Sequence, residues 1–299
     1  MREIGDIVRE FERRRAEPFA LATLVRTRGS SYRRPGARML ISADGKAVGS
    51  LSGGCLEEEV VEKACEVLRT GEPTLMEFDT RRRFGCNGAL EILVERARAG
   101  FLAELAAHFH ARRPCLIATA FAGECGSRFA SAADEESDGD LRQRIEPSPQ
   151  LLVIGDGPDS TALRAIAETL GWSVRPIESA SQLDASYDAW TAAIVKTHNY
   201  GRDFAALRAL LPLSLRYLGL IGPRARREQL LGDLLDTGIA DRPNLFAPAG
   251  LDLGGDSPEA IALAIIAEIQ AVFAAGSRQS LRDRKTPIHN PRAEPVATF

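Results

Sequence analysis

Hydrophobic positions along the chain switch between a period near 3.6 and a period near 2, which divides it into helices and strands. Ile4, Ile7, Val8 and Phe11 share one helical face within residues 2–16, and Pro18 closes that helix. Strands follow at 19–27 (FALATLVRT), 37–42 (ARMLIS) and 46–52 (KAVGSLS). The first two are joined by a turn-rich loop, 28–37, with Gly29, Pro35 and Gly36; Asp44-Gly45 makes a tight turn before the third. A helix over 55–69, closed by Gly71, precedes two strands, LMEFDT and ALEILVE, which flank RRRFGCNG (81–88). Another helix, 99–112, leads into PCLIATAF, a short echo of the first strand.

The stretch SAADEESDGDLRQRIEPSPQ is acidic and then proline-bearing, so it predicts a linker over 131–150 between a domain of residues 1–130 and one of 151–299. The second domain opens on LLVIGDGPDS (151–160), a helix over 161–171 and the strand WSVRPIE: a βαβ unit of Rossmann type. AAIVKTHN (192–199) and YLGLIG (217–222) carry the continuous apolar runs of buried parallel strands. Helices are expected over 203–211, 224–237 and 256–274, the last capped by Asp256 or Ser257. The fold class is α/β: a mixed α/β first domain, then a Rossmann-like, doubly wound second domain.

A length of 299 residues suits two domains, and 44% hydrophobic with 26% charged residues is a globular balance. The net charge of -3 lacks the basic excess of a nucleic-acid binder. No run approaches the ~18 apolar residues of a membrane span. The N-terminus has no signal-peptide core, and five cysteines without such a signal fit a reducing, cytoplasmic setting.

Three glycine-bearing loops of the first domain could carry chemistry. Ser52-Gly53-Gly54-Cys55-Leu56-Glu57 would let a ligand approach the backbone and set Cys55 in the first turn of a helix, where the dipole favours a thiolate. A small buried residue under a tight turn accounts for the same pattern. Cys86 sits between glycines beside Arg81, Arg82 and Arg83, and Arg33 and Arg34 occupy the loop after the first strand. If the loops meet on one face, they combine thiols, guanidiniums and backbone donors, suited to a phosphorylated, sulfur- or metal-bearing ligand. A solvated basic turn is the alternative.

In the second domain, Gly155 and Gly157 keep two glycines of a dinucleotide fingerprint. Ser160 replaces the third and Pro158 removes an N–H. Glu178 stands where a ribose-binding acid belongs, and His198 ends a strand at the ligand-binding edge. A glycine turn is also needed merely to pass from strand to helix, so cofactor binding and a structural turn both stay open. No HExxH, CxxC pair, Walker loop or GxSxG is present.

These motifs, in order, resemble the XdhC/CoxI family of maturation factors for xanthine dehydrogenase and related molybdenum hydroxylases. The first-domain match runs from RGSSYRRPGARMLISADGKAVGSLSGGCLEEEVVEKA (28–64) to FGCNG (84–88). The second covers LLVIGDGPDSTALRAIAETLGW (151–172), VKTHNYGRDFAAL (195–207), YLGLIGPRARREQLL (217–231), PAGLDLGGDSPEAIALAIIAEIQAV (248–272) and SLRDRKTPIH (280–289).

The resemblance implies a non-catalytic chaperone that binds molybdenum cofactor as cargo. It would shelter the cofactor while a cysteine desulfurase supplies sulfur, then deliver it to an apo-hydroxylase. It places Gly53, Gly54 and Cys55 on the ligand face with Cys86 as a second thiol, and makes Cys55 a candidate contact to molybdenum through the cofactor. It also implies a homodimer. The family's GCGG is GCNG here, and the stretch from Glu178 to Ala192 is short for the family. The other reading is an NAD(P)-dependent oxidoreductase using Gly155, Gly157 and Glu178 with His198 as acid or base. A third is an oligomeric scaffold with a purely structural Rossmann domain.

Overall fold

A computed structural model describes residues 2–29, 31–79, 88–134, 137–184, 186–213, 215–239 and 243–285. The chain forms two compact units, residues 1–148 and 149–299.

The first unit contains α1 (Arg2–Arg13), β1 (Phe19–Gly29), β2 (Arg38–Ser42), β3 (Ala47–Gly49), α2 (Glu57–Thr70), β4 (Thr74–Asp79), β5 (Gly88–Arg96), α3 (Ala99–His110), β6 (Cys115–Ala120), β7 (Gly126–Ala130) and β8 (Asp140–Ile145). Five antiparallel strands form one sheet in the order β3-β2-β1-β5-β4. Successive side chains point to opposite faces, so β1 supplies both cores. Ala20, Ala22 and Leu24 meet α2, whereas Phe19 and Leu21 meet α1 and α3. On α2 the buried residues Val60, Ala64 and Val67 recur at helical spacing. Each buried valine contributes about 1.5–3 kcal/mol as an upper estimate. Gly71 ends α2 in the left-handed region at φ 82°, its N–H donating to the Val67 carbonyl at 2.8 Å.

Residues 131–150, expected as a linker, instead contain β8. It and β7 flank β6 in a second antiparallel sheet of order β7-β6-β8. The charged residues behind the linker composition pair across this sheet, as in Arg128 with Asp140 at 2.7 Å. Charge here marks a half-exposed strand, and the first unit continues to Ser148.

The second unit contains β9 (Gln150–Ile154), α4 (Pro158–Thr169), β10 (Ser173–Ile177), β11 (Thr191–Val195), α5 (Tyr200–Leu210), β12 (Tyr217–Leu220), α6 (Arg224–Asp236), β13 (Leu245–Phe246) and α7 (Pro258–Phe273). Its strands are parallel, in the order β10-β9-β11-β12-β13. A short 3-10 turn, Ala180–Gln182, is the only helical element among the described residues between β10 and β11, which accounts for the short stretch after Glu178. One face of the sheet packs on α5 and α6, the other on α4 and α7. Ser257 caps α7, its side chain accepting from Ala260 N–H at 3.2 Å. Under α7 the Tyr217 hydroxyl donates to Glu268 at 2.8 Å, and the Gly250 N–H donates to the same carboxylate at 2.9 Å.

Candidate functional site

Strand direction brings the loop after β1 and the turn after β3 to the same end of the first sheet. Gly29 at the end of β1 pairs with Gly88 at the start of β5, and Asp79 at the end of β4 pairs with Ala89. Thr23 pairs with Arg38 at the start of β2, and Gly49 at the end of β3 pairs with Met39. The chain therefore leaves β1, β3 and β4, and enters β2 and β5, on the same side. Through Met39 and Ala22, Gly49 lies level with Val94 of β5, whereas the Gly29–Gly88 pair lies about 20 Å farther along the strands. Residues 80–87, with Arg81, Arg82, Arg83 and Cys86, lie outside the described residues.

Gly49 fixes how the chain departs from β3. Its φ is +97°, and a Cβ there would lie 2.3 Å from the Arg38 carbonyl oxygen, so only glycine fits. This ends β3 three residues earlier than the alternation of 46–52 predicts. The following turn is folded around one carboxylate. Glu57 accepts from Ser50 Oγ at 3.1 Å, Leu51 N–H at 3.2 Å and Ser52 N–H at 2.9 Å through one oxygen. Its other oxygen accepts from Ser52 Oγ at 2.7 Å and Leu56 N–H at 3.1 Å.

Burial works to raise the Glu57 pKa, but the hydrogen bonds from Ser52 and Leu56 outweigh it and bring the group down to about 2. Ser52 Oγ accepts from the N–H groups of Gly54 and Cys55, both at 3.2 Å. Ser52 and Glu57, expected as ligand contacts, thus spend their polar atoms on the loop itself and act as its brace.

What the brace presents outward is Gly53, Gly54 and Cys55, all exposed. A Cβ at either glycine would meet nothing within 4 Å. Their lack of side chains leaves backbone open to an incoming group rather than relieving an internal clash. The helix begins at Glu57 with Leu56 as N-cap, two residues later than expected. Cys55 therefore precedes the cap and is not in the first turn.

In the neighbouring loop Arg33 turns to Glu3 of α1, whose other oxygen accepts from Arg38 N–H at 2.7 Å. Arg33, expected to face a ligand, fastens the loop to α1. Arg34 is exposed. So is Tyr32, at 77%, which shares the loop with the two arginines and was not among the expected contacts. A large aromatic between a serine pair and an arginine pair, with no hydrophobic period to bury it, was the available signal. Arg28 is 71% exposed and lies 3.3 Å from the buried carboxylate of Glu91 on β5. Among the described residues, no three His, Cys, Asp or Glu side chains gather as a metal site, so Cys55 offers a single soft donor.

In the second unit, Gly155 lies where the strand order reverses, between the ends of β9 and β11. A Cβ there, at φ +108°, would lie 2.8 Å from the Lys196 backbone, so this glycine is required by packing alone. Gly157 sits over Lys196 Nζ, 3.1 Å from the place of its own missing Cβ. Lys196 is fully buried, and its ammonium lies 2.8 Å from Asp159 and 2.9 Å from Ser160 Oγ. Reading AAIVK as a plain apolar run gives no sign of this, although a lysine closing such a run is the available signal. His198 is exposed at the same edge with φ +54°, and Glu178 is exposed beyond β10. Asp203, fully buried, holds Thr197 through its N–H at 3.1 Å and pairs with Arg226 at 2.5 Å.

The profile of the XdhC and CoxI family matches residues 12–79, and that of the XdhC Rossmann domain matches 151–269; together they take in more than half of the chain. The chain belongs to the XdhC and CoxI family. The first profile covers the loops 31–37 and 50–56, and the second covers the glycine turn and Lys196. A Bacillus subtilis relative, named as a probable subunit of xanthine dehydrogenase, is 29% identical, over 85% of this chain and 92% of that protein. The Escherichia coli molybdenum cofactor insertion chaperone PaoD is 23% identical, over 84% of this chain and 82% of its own length. A Bacillus halodurans crystal structure described as a xanthine dehydrogenase has the same fold, with a TM-score of 0.77 at 23% identity, covering 92% of this chain and 97% of that one. Among the described residues, no helix is long and apolar enough to cross a membrane.

Proposed function

We propose that this XdhC/CoxI protein is a maturation chaperone that carries molybdenum cofactor at the loop edge of its first unit and gives it to a molybdenum hydroxylase. The observation that carries this reading is the braced loop presenting Gly53, Gly54 and Cys55 to solvent. Two residues without side chains admit a bulky group to the backbone, and a thiol is a soft donor for a soft metal centre. In the adjacent loop the Arg34 guanidinium suits the cargo's phosphate, and the exposed ring of Tyr32 offers a face for its flat pterin. The name of PaoD supports the same reading. Shelter during sulfuration by a cysteine desulfurase, delivery to the apo-hydroxylase, self-association and a cytoplasmic location belong to this proposal.

The test is gel filtration of the purified protein with cofactor under anaerobic conditions, with molybdenum measured in the protein peak. Wild type retains molybdenum and Cys55→Ala loses most of it. Cys65→Ala, which removes another exposed thiol, retains it. Wild type eluting without molybdenum would refute the chaperone reading, and equal losses from the two substitutions would refute the role of Cys55.

A further inference from the structure

A Rossmann unit implies a dinucleotide whose pyrophosphate rests on free N–H groups at the glycine turn and the following helix N-terminus. Gly157, Pro158 and Ser160 offer no free N–H in this turn. Gly157 N–H donates to its neighbour Asp156 Oδ1 at 2.8 Å, Pro158 has no N–H, and Ser160 N–H donates to the Gly157 carbonyl at 3.0 Å. Two carboxylates, Asp156 and Asp159, therefore stand on a segment meant to receive an anion.

Asp159 lies in the first turn of α4, where the helix dipole stabilises negative charge. It is held at 2.8 Å by the ammonium of Lys196, which has no exposed surface and is steadied from the other side by Ser160 Oγ at 2.9 Å. Ser160 takes the position of the fingerprint's third glycine. A buried ammonium needs a partner, because removing a charge from water is strongly unfavourable. Here the chain supplies that partner itself.

We propose that the Asp159 carboxylate is a built-in occupant of the dinucleotide phosphate position, neutralised by Lys196, and that the second unit is closed to NAD(P). Like-charge repulsion from Asp156 opposes an incoming pyrophosphate, and one that did enter would have to displace the Asp159–Lys196 pair. The oxidoreductase reading thus fails on the residues of the turn. The Rossmann sheet keeps its glycines for the packing of Gly155 on the Lys196 backbone and of Gly157 on the ammonium.

The experiment uses the full chain with NADH, NADPH and inorganic pyrophosphate as probes. For wild type, NADH and NADPH fluorescence titrations show no saturation up to about 1 mM, a binding free energy weaker than about 4 kcal/mol. Pyrophosphate raises its melting temperature no more than chloride of equal ionic strength. Asp159→Asn melts lower, and pyrophosphate restores it, with a rise of about 3–5 °C at ten times its dissociation constant. Adding Lys196→Met abolishes that response. Saturable NAD(P)H binding by wild type would overturn the proposal, as would a folded Asp159→Asn protein indifferent to pyrophosphate. If Asp159→Asn does not fold, the wild-type titration decides alone. Molybdenum retention by the first unit is a separate readout, so failure of one proposal leaves the other standing.

Discussion

Replacing Glu57 by glutamine tests the brace that shapes the site, because it keeps the side chain's size while removing its charge and one acceptor. The carboxylate takes five hydrogen bonds, from Ser50 Oγ, Leu51 N–H, Ser52 N–H, Ser52 Oγ and Leu56 N–H. A glutamine amide would point its NH2 at two or three of those donors. The fall of the Glu57 pKa from 4.5 to about 2 sets a ceiling of roughly 3 kcal/mol on what ionisation adds to stability. The side chain keeps part of its solvent, which screens the charge and leaves about 1–2 kcal/mol.

The sign follows from the direction of the shift. The contribution is fully present above the ordinary value of 4.5 and is lost as pH falls through about 2. Glu57→Gln should therefore melt about 2–8 °C below wild type at neutral pH. The gap should narrow steadily in scans taken from about pH 5 downward. Equal melting temperatures at neutral pH, or a gap independent of pH, would refute the brace.

Further outcomes follow from other contacts. Gly49→Ala places a Cβ against the Arg38 carbonyl at a positive φ and should lower unfolding stability in urea by at least about 2 kcal/mol; an unchanged midpoint would contradict this account of how β3 ends. Tyr217→Phe keeps the ring stacked on Phe246 but takes a buried donor from Glu268, costing about 1–3 kcal/mol in the same assay; a neutral result would mean that the hydroxyl is dispensable. Arg34→Ala and Tyr32→Ala should each reduce molybdenum retention; retention equal to wild type in both would remove the 31–37 loop from the site.

Much of the fold is legible because its elements bury continuous faces. The α7 helix, expected over 256–274, runs from Pro258 to Phe273 with Ser257 as its cap, since Ala262, Ile265, Ile266 and Ile269 form a buried stripe that polar neighbours cannot disguise. The strand β8 reads as a linker for the opposite reason. Its residues DLRQRI are half-buried and charged, so neither alternation nor hydrophobicity sets it apart, and only pairing with β6 reveals it.

The site is legible as a set of loops but not in its division of labour. The spacing of Ser52, Cys55 and Glu57 cannot tell which side chains fold back. The structure shows Glu57 and Ser52 turned onto the backbone and Arg33 turned onto Glu3, leaving Gly53, Gly54 and Cys55 outward. Lys196 escapes notice because a buried ammonium depends on a tertiary partner, Asp159, lying far away in the sequence.

Hydrogen exchange on the protein with and without bound molybdenum cofactor reads the location of the cargo most directly. Protection should appear in peptides spanning 31–37 and 50–56, with no change at the glycine turn 155–160 or at the 42–46 turn on the far edge of the sheet. Protection confined to 155–160, or to the far edge with 31–37 and 50–56 unchanged, would contradict a cargo site at the shared loop edge.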